Sequence, residues 1–107
     1  MPLRTNLRPS FDGAPLMIAI DVQVTFYSFK DEDAFFAWVA RIPCIKKFDP
    51  VTLYVRSRVL SKEDLLELTA LLYRYRADMS QLQQFCNSRN ESWFKAPGMY
   101  WHKGVFR

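Results

Sequence analysis

The chain has 107 residues, half of them apolar and 16% aromatic, with a formal net charge of +4. That composition excludes a disordered chain, and the length excludes several domains; a single globular domain with a core of modest size is expected. The basic balance, with a pI near 9.3, favours acidic partners without specifying their kind.

In chain order, "MPLRTNLRPSFDGAP" carries three prolines and no hydrophobic period. Residues 1–16 read as an irregular arm, and residues 17–107 as one domain. No apolar run of signal-peptide length precedes Pro15, and the run that starts at Leu16 is interrupted by Asp21 and Gln23. Neither a leader nor a membrane span is expected, and the expected location is the cytoplasm.

In "MIAIDVQVTFYSF", Ile18, Ile20, Val22, Val24 and Phe26 alternate with Ala19, Asp21, Gln23, Thr25 and Tyr27. Period two predicts a strand with one buried and one open face. "SFKDEDAFFAWVARIP" predicts a helix. Ser28 or Asp31 caps it, Asp31, Glu32 and Asp33 suit its positive end, Phe35, Trp38, Val39 and Ile42 form its stripe, and Pro43 stops it. "VTLYVRSRVL" predicts a second strand with Val51, Leu53, Val55, Ser57 and Val59 on one face. Tyr54, Arg56 and Arg58 lie on the other.

"SKEDLLELTALLYRYRADM" is the strongest helix signal. Ser61 with Asp64 makes a capping box, Leu65, Leu68, Leu72 and Tyr75 the main stripe, and Glu63, Glu67 and Arg74 the wet side. "SQLQQFCNSRNESWF" predicts a third helix, capped by Ser80 with Gln83 and burying Leu82, Phe85, Cys86 and Trp93. Pro97–Gly98 then turns the chain into "MYWHKGVF", a short strand or a helix of one or two turns. The order of elements predicts an α+β two-layer sandwich, a small antiparallel or mixed sheet with helices on one face.

Catalytic signals are sparse. One histidine, His102, cannot found a histidine metal cluster, and Cys44, Cys86 and His102 lack zinc-ligand spacing. With three glycines there is no phosphate cradle. The cysteines read as free thiols inside apolar segments of a reduced protein. No enzyme activity, metal or cofactor is expected.

Two binding readings remain. From Leu68 onward there are six Lys or Arg against two Asp or Glu, so this part carries the whole net charge. In "ESWFKAPGMYWHKGVFR" rings and cations interleave, as on a surface that stacks bases and neutralises phosphates. The same residue types anchor protein interfaces. The candidate contact residues are Tyr54, Arg56 and Arg58 on the open sheet face and Trp101, His102 and Lys103 at the C-terminal edge. The rings of that last stretch are expected mostly to clasp the core.

The run "LYRYRADMSQLQQFCNSRNESWFKAPGMYWHKGVF" resembles small immunity proteins of bacterial contact-dependent growth inhibition systems. The likeness lies in Tyr73-Arg74-Tyr75, in Met79, Gln81, Leu82 and Phe85, in Asn90 with Trp93-Phe94, and in Tyr100-Trp101 through Val105-Phe106. With the preceding strands it covers about residues 17–107. It implies a protein that binds one cognate toxin domain, a soluble toxin such as a nuclease, and silences it in the cytosol. Inhibitors that plug nuclease active sites are usually acidic. A basic chain of this kind points instead to an acidic exosite, or to a toxin of another class. The alternative is a small basic nucleic-acid-binding protein.

Overall fold

The alternation at residues 18–26 becomes one side of a small sheet. In a computed structural model describing residues 17–106, Ile20 and Val22 are fully buried, Ile18, Val24 and Phe26 pack partly buried against the core, and Ala19, Asp21, Gln23, Thr25 and Tyr27 are exposed. The hydrogen-bonded strand is shorter than the alternation. β1 spans Ile18–Asp21, and the Val22 N–H still reaches the Val51 carbonyl at 2.9 Å. The expected N-terminal arm lies outside the described residues.

The sheet has three antiparallel strands in the order β1–β3–β2, with β2 at Ile45–Asp49 and β3 at Thr52–Val55. Strand β2 has no counterpart in the sequence reading. Its residues, IKKFD, are mostly exposed, because it is an edge strand and lacks the apolar alternation of a half-buried one. Asp49 makes the hairpin turn: its Oδ1 accepts the N–H groups of Val51 (3.0 Å) and Thr52 (2.9 Å), with Pro50 pre-set for the bend.

Both sheet edges are protected. A bulge between Ile45 and Lys47 and two exposed lysines guard β2. On β1 the Gln81 side-chain amide plays the part of a missing strand. It accepts from the Asp21 N–H at 2.7 Å and donates to the Asp21 carbonyl at 2.8 Å.

Strand β3 is shorter than its sequence signal. The Ser57 hydroxyl donates to the Val59 carbonyl (3.0 Å) and accepts from the Val59 N–H (3.2 Å). This local loop competes with further ladder pairing. Leu53 and Val55 are buried as expected, but Val51 and Val59, at 51% and 65% exposure, leave the predicted buried face.

Helix α1 (Phe29–Val39) starts at Ser28, whose hydroxyl accepts the Asp31 N–H, while the Asp31 carboxylate accepts the Tyr27 N–H. Phe35 and Val39 face the core. The helix ends at Ala40, before Pro43, and Ile42 is buried just beyond it. Helix α2 (Lys62–Arg74) is capped by Ser61 and buries Leu65, Leu68, Leu71 and Leu72. Trp38 Nε1 donates to Glu67 Oε1 at 2.9 Å and so ties α1 to α2. The result is the expected α+β arrangement, an antiparallel sheet with helices packed over its apolar face.

The single helix predicted from Ser80 to Phe94 is replaced by a 3₁₀ segment, Met79–Phe85, and one turn of α-helix, α3 (Glu91–Phe94). The cap is Asp78, whose Oδ1 accepts the Ser80 N–H (3.0 Å) and hydroxyl (2.6 Å). Gln83, expected in a capping box, instead donates to the Val105 carbonyl at 2.7 Å. Two asparagines cause the break. Asn87 Oδ1 accepts the N–H of Arg89 and of Asn90, Asn90 Oδ1 accepts the Asn87 N–H, and Asn90 Nδ2 holds the Phe85 carbonyl at 2.8 Å. Side chains thus take the backbone groups that a continuous helix would have paired.

Helix α4 (His102–Val105) closes the structure. It sits against the 3₁₀ segment so closely that a Cβ on Gly104 would lie 3.0 Å from Met79 Sδ.

Candidate functional site

The six residues singled out from the sequence do not form one patch. Tyr54 lies on the open sheet face opposite Ala19, half-buried, with Lys47 Nζ 4.8 Å from its ring centroid. Arg56 and Arg58 are exposed past the end of β3 and line an open groove of about 520 Å³ with Met17, Ala19 and Gln84. The structure brings these two arginines together, but the groove has no ring.

Trp101 corrects the expectation of a C-terminal edge anchor. It is 4% exposed, its Nε1–H donates to the Phe94 carbonyl at 2.6 Å, and its ring packs near Trp93 and Phe94. It belongs to the core and offers no surface ring. The reason is the turn at Pro97–Gly98, which folds the final helix back over α3. His102 is half-buried, and its Nδ1 is buried without a hydrogen-bond partner among the described residues; Lys103 is exposed. Of the rings in this stretch, Phe94 and Trp101 are buried, Trp93 and Phe106 are half-buried, and Tyr100 stays 51% exposed. The clasp is therefore real, with Tyr100 as its outward member.

The thiols are placed as packing groups. Cys44 is buried and free, and burial, reinforced by the nearby Asp64 charge, pushes its thiol up to about 11. Cys86 is half-buried and free, and burial raises it as well. Both shifts disfavour the thiolate, the reverse of what nucleophilic catalysis needs. Among the described residues no three His, Cys, Asp or Glu side chains group to hold a metal ion. No helix there is long and apolar enough to cross a membrane.

The sequence reading missed a surface at the C-terminal end of α2 that brings exposed rings and arginines together. An open depression of about 550 Å³ is lined by Trp38, Ala70, Tyr73, Arg74, Arg76 and Tyr100. The rings of Tyr73 and Tyr100 meet edge to face at 4.7 Å. A second depression, of about 690 Å³, lies on the other side of the same arginines and includes Tyr27, Asp31 and Tyr75. Partial burial, then Tyr73 and Glu67, raise the Tyr100 hydroxyl above its ordinary range.

Arg76 has φ 60°, the left-handed region. It follows the α2 cap residue Tyr75, its N–H reaches the Tyr73 carbonyl (3.3 Å), and the Ala77 N–H reaches the Leu72 carbonyl (3.0 Å). This is a Schellman ending with arginine where glycine is usual. Without a glycine to mark it, the ending had no sequence signal; in the sequence Arg74 and Arg76 are ambiguous between interface anchors and cations suited to a helix C-terminus.

No family model, curated protein or solved structure matches this chain.

Proposed function

We propose that this chain is an immunity protein that binds a cognate toxin domain and neutralises it by tight protein–protein association in the cytoplasm, without catalysis or a cofactor. The toxin is a soluble, cytosol-acting one, such as a nuclease. The observation that supports this best is the number of large rings left in solvent on so small a fold. Tyr27, Phe29, Tyr73 and Tyr100 are 87%, 82%, 53% and 51% exposed. Exposed aromatics with arginines among them are the composition of interface anchors, and leaving such rings wet forgoes burial that a small domain could otherwise use.

The resemblance of residues 72–106 to immunity proteins of growth-inhibition systems supplies the partner class. Immunity requires that almost no toxin stay free, so the dissociation constant is nanomolar or lower, about −12 kcal/mol or stronger. The test is co-expression with the toxin domain encoded beside this chain, followed by calorimetric titration of the purified pair. Survival of the cells together with a one-to-one nanomolar complex is the expected result. Failure of the neighbouring product to bind at all sinks the reading.

A further inference from the structure

We infer that the partner docks on the ridge of Arg74 and Arg76, and that what docks there is an acidic protein segment that also carries apolar side chains. The inference rests on reading the chain as an immunity protein and moves the contact away from Arg56 and Arg58.

Three observations converge. The two arginines are shared by both depressions, so they form a ridge with a ring-lined hollow on each side: Tyr73, Tyr100 and Trp38 on one, Tyr27 and Tyr75 on the other. A segment laid across the ridge places carboxylates on the guanidinium forks and side chains against the rings. Arginine suits this pairing because its planar fork meets a carboxylate with two parallel hydrogen bonds.

The second observation is the backbone. Arg76 holds φ 60° in a helix ending that glycine fills without strain. The side chain that glycine lacks is what the strained position gains, and it is the side chain on the ridge. The competing groove at Arg56 and Arg58 has no ring and no such strain.

The third is charge. Asp31 lines one hollow, and Glu67 is bonded to Trp38 at the rim of the other. These carboxylates oppose a continuous run of phosphates, whereas a segment whose carboxylates alternate with apolar side chains can set its acidic positions on the two guanidinium groups and its apolar ones in the hollows. The partner is therefore a protein and not a nucleic acid.

The test uses the intact, isotope-labelled chain and three probes. They are a fluorescein-labelled dodecapeptide alternating Asp or Glu with Leu and Phe, its lysine-substituted counterpart, and a single-stranded oligodeoxynucleotide of equal length. The acidic peptide should shift the amide signals of Tyr73, Arg74, Arg76 and Tyr100 and leave those of Ala19, Arg56 and Arg58 in place. Arg74→Glu and Arg76→Glu should each weaken it by roughly tenfold or more, as loss of an anchor does. The Arg56→Glu, Arg58→Glu double variant should stay within about twofold, as expected for charges outside the contact. Arg76→Gly keeps the helix ending, so its loss of binding with an undiminished melting temperature separates contact from folding.

Shifts centred on Arg56 and Arg58, no shift at millimolar acidic peptide, an unaffected Arg76→Glu variant, or tighter binding of the oligonucleotide at about 0.15 M salt each overturn the proposal. In cells, the Arg74→Glu, Arg76→Glu double variant should lose protection. Protection retained by that variant places the docking face elsewhere and leaves the immunity reading standing. A wild type that neither binds nor protects removes the immunity reading, while the peptide titration still decides the ridge.

Discussion

Arg76 is where a single residue departs furthest from local preference. An L-residue with a Cβ in the left-handed region costs about 1–2 kcal/mol, part of which glycine would return as unfolded-chain entropy. Arg76→Gly should therefore stabilise the fold by about 1 kcal/mol, a rise of roughly 4–8 °C in melting temperature for a domain of this size. Thermal denaturation followed by circular dichroism reads it directly, and a lower melting temperature would remove the strain from Arg76. Asp78 shows the opposite case, a residue that suits its place. Hydrogen bonds from the Ser80 hydroxyl and N–H lower its carboxyl below the usual range. The ionised form is the bonded one, so its contribution is present above the ordinary aspartate range and is lost as pH falls through the lowered value. Asp78→Ala should cost about 0.5–1 kcal/mol at pH 7, and wild type and variant should converge in stability in acid, below the folded-state value. A gap that persists there contradicts the cap.

Among the elements, β1 is set by alternation and α3 by side-chain locks. Val22 is fully buried and Gln23, one position on, is exposed. A carboxylate at Val22 would stand unpaired in the core at a cost of several kcal/mol, against a total stability of about 5–15 kcal/mol. Val22→Asp should unfold the domain, whereas Gln23→Lys should leave the urea midpoint nearly unchanged. Equal sensitivity at the two positions would contradict a one-sided sheet. Asn90 is 7% exposed, and its side chain bonds the last carbonyl of the 3₁₀ segment, at Phe85, and the Asn87 N–H within the break before α3. Asn90→Ala leaves the buried Phe85 carbonyl without its donor, so a loss of about 1–3 kcal/mol is expected in denaturant titrations. The neighbouring Asn87 should be coupled to it in a double-mutant cycle, because the two side chains serve one turn.

For the whole molecule, the distribution of charge matters more than its sum. The net charge of +4 resides from Leu68 onward, yet the described cations there come from separate places: Arg74 and Arg76 at the end of α2, Arg89 before α3, Lys95 after it and Lys103 in α4. Phosphate-driven binding to several sites weakens by about 10³–10⁵ between 50 and 200 mM salt. Binding of single-stranded DNA or RNA should accordingly be weak and vanish near about 0.15 M salt in anisotropy titrations. Submicromolar affinity surviving that salt would instead support the nucleic-acid alternative. Association with an acidic protein surface should slow with salt, because charges steer encounter, whereas loss of a ridge arginine that pairs with a carboxylate should appear mainly as faster dissociation.

What the sequence determined by itself are the features that depend on near neighbours. The alternation from Ile18 to Phe26 named the buried side of β1, Leu65, Leu68 and Leu72 named the core stripe of α2, Ser61 named the start of α2, and Ser28 was one of two candidates for the start of α1. Each follows from a period or a cap within a few residues. The remainder was decided by contacts between distant segments. Strand β2 exists because β3 pairs with it, although its own residues are mostly exposed and three of the five are charged. The expected third helix gave way because Asn87 and Asn90 could bond the backbone in place of helical partners, with Gln81 and Gln83 of the 3₁₀ segment bonded to Asp21 and Val105. Trp101 went inside because the last turn folded over α3, and a ring's burial depends on what folds against it. The ridge of Arg74 and Arg76 gathers Tyr27, Trp38 and Tyr100 from three separate parts of the chain. No local pattern brings such residues together; only packing α1, α2 and the C-terminal segment against one core does.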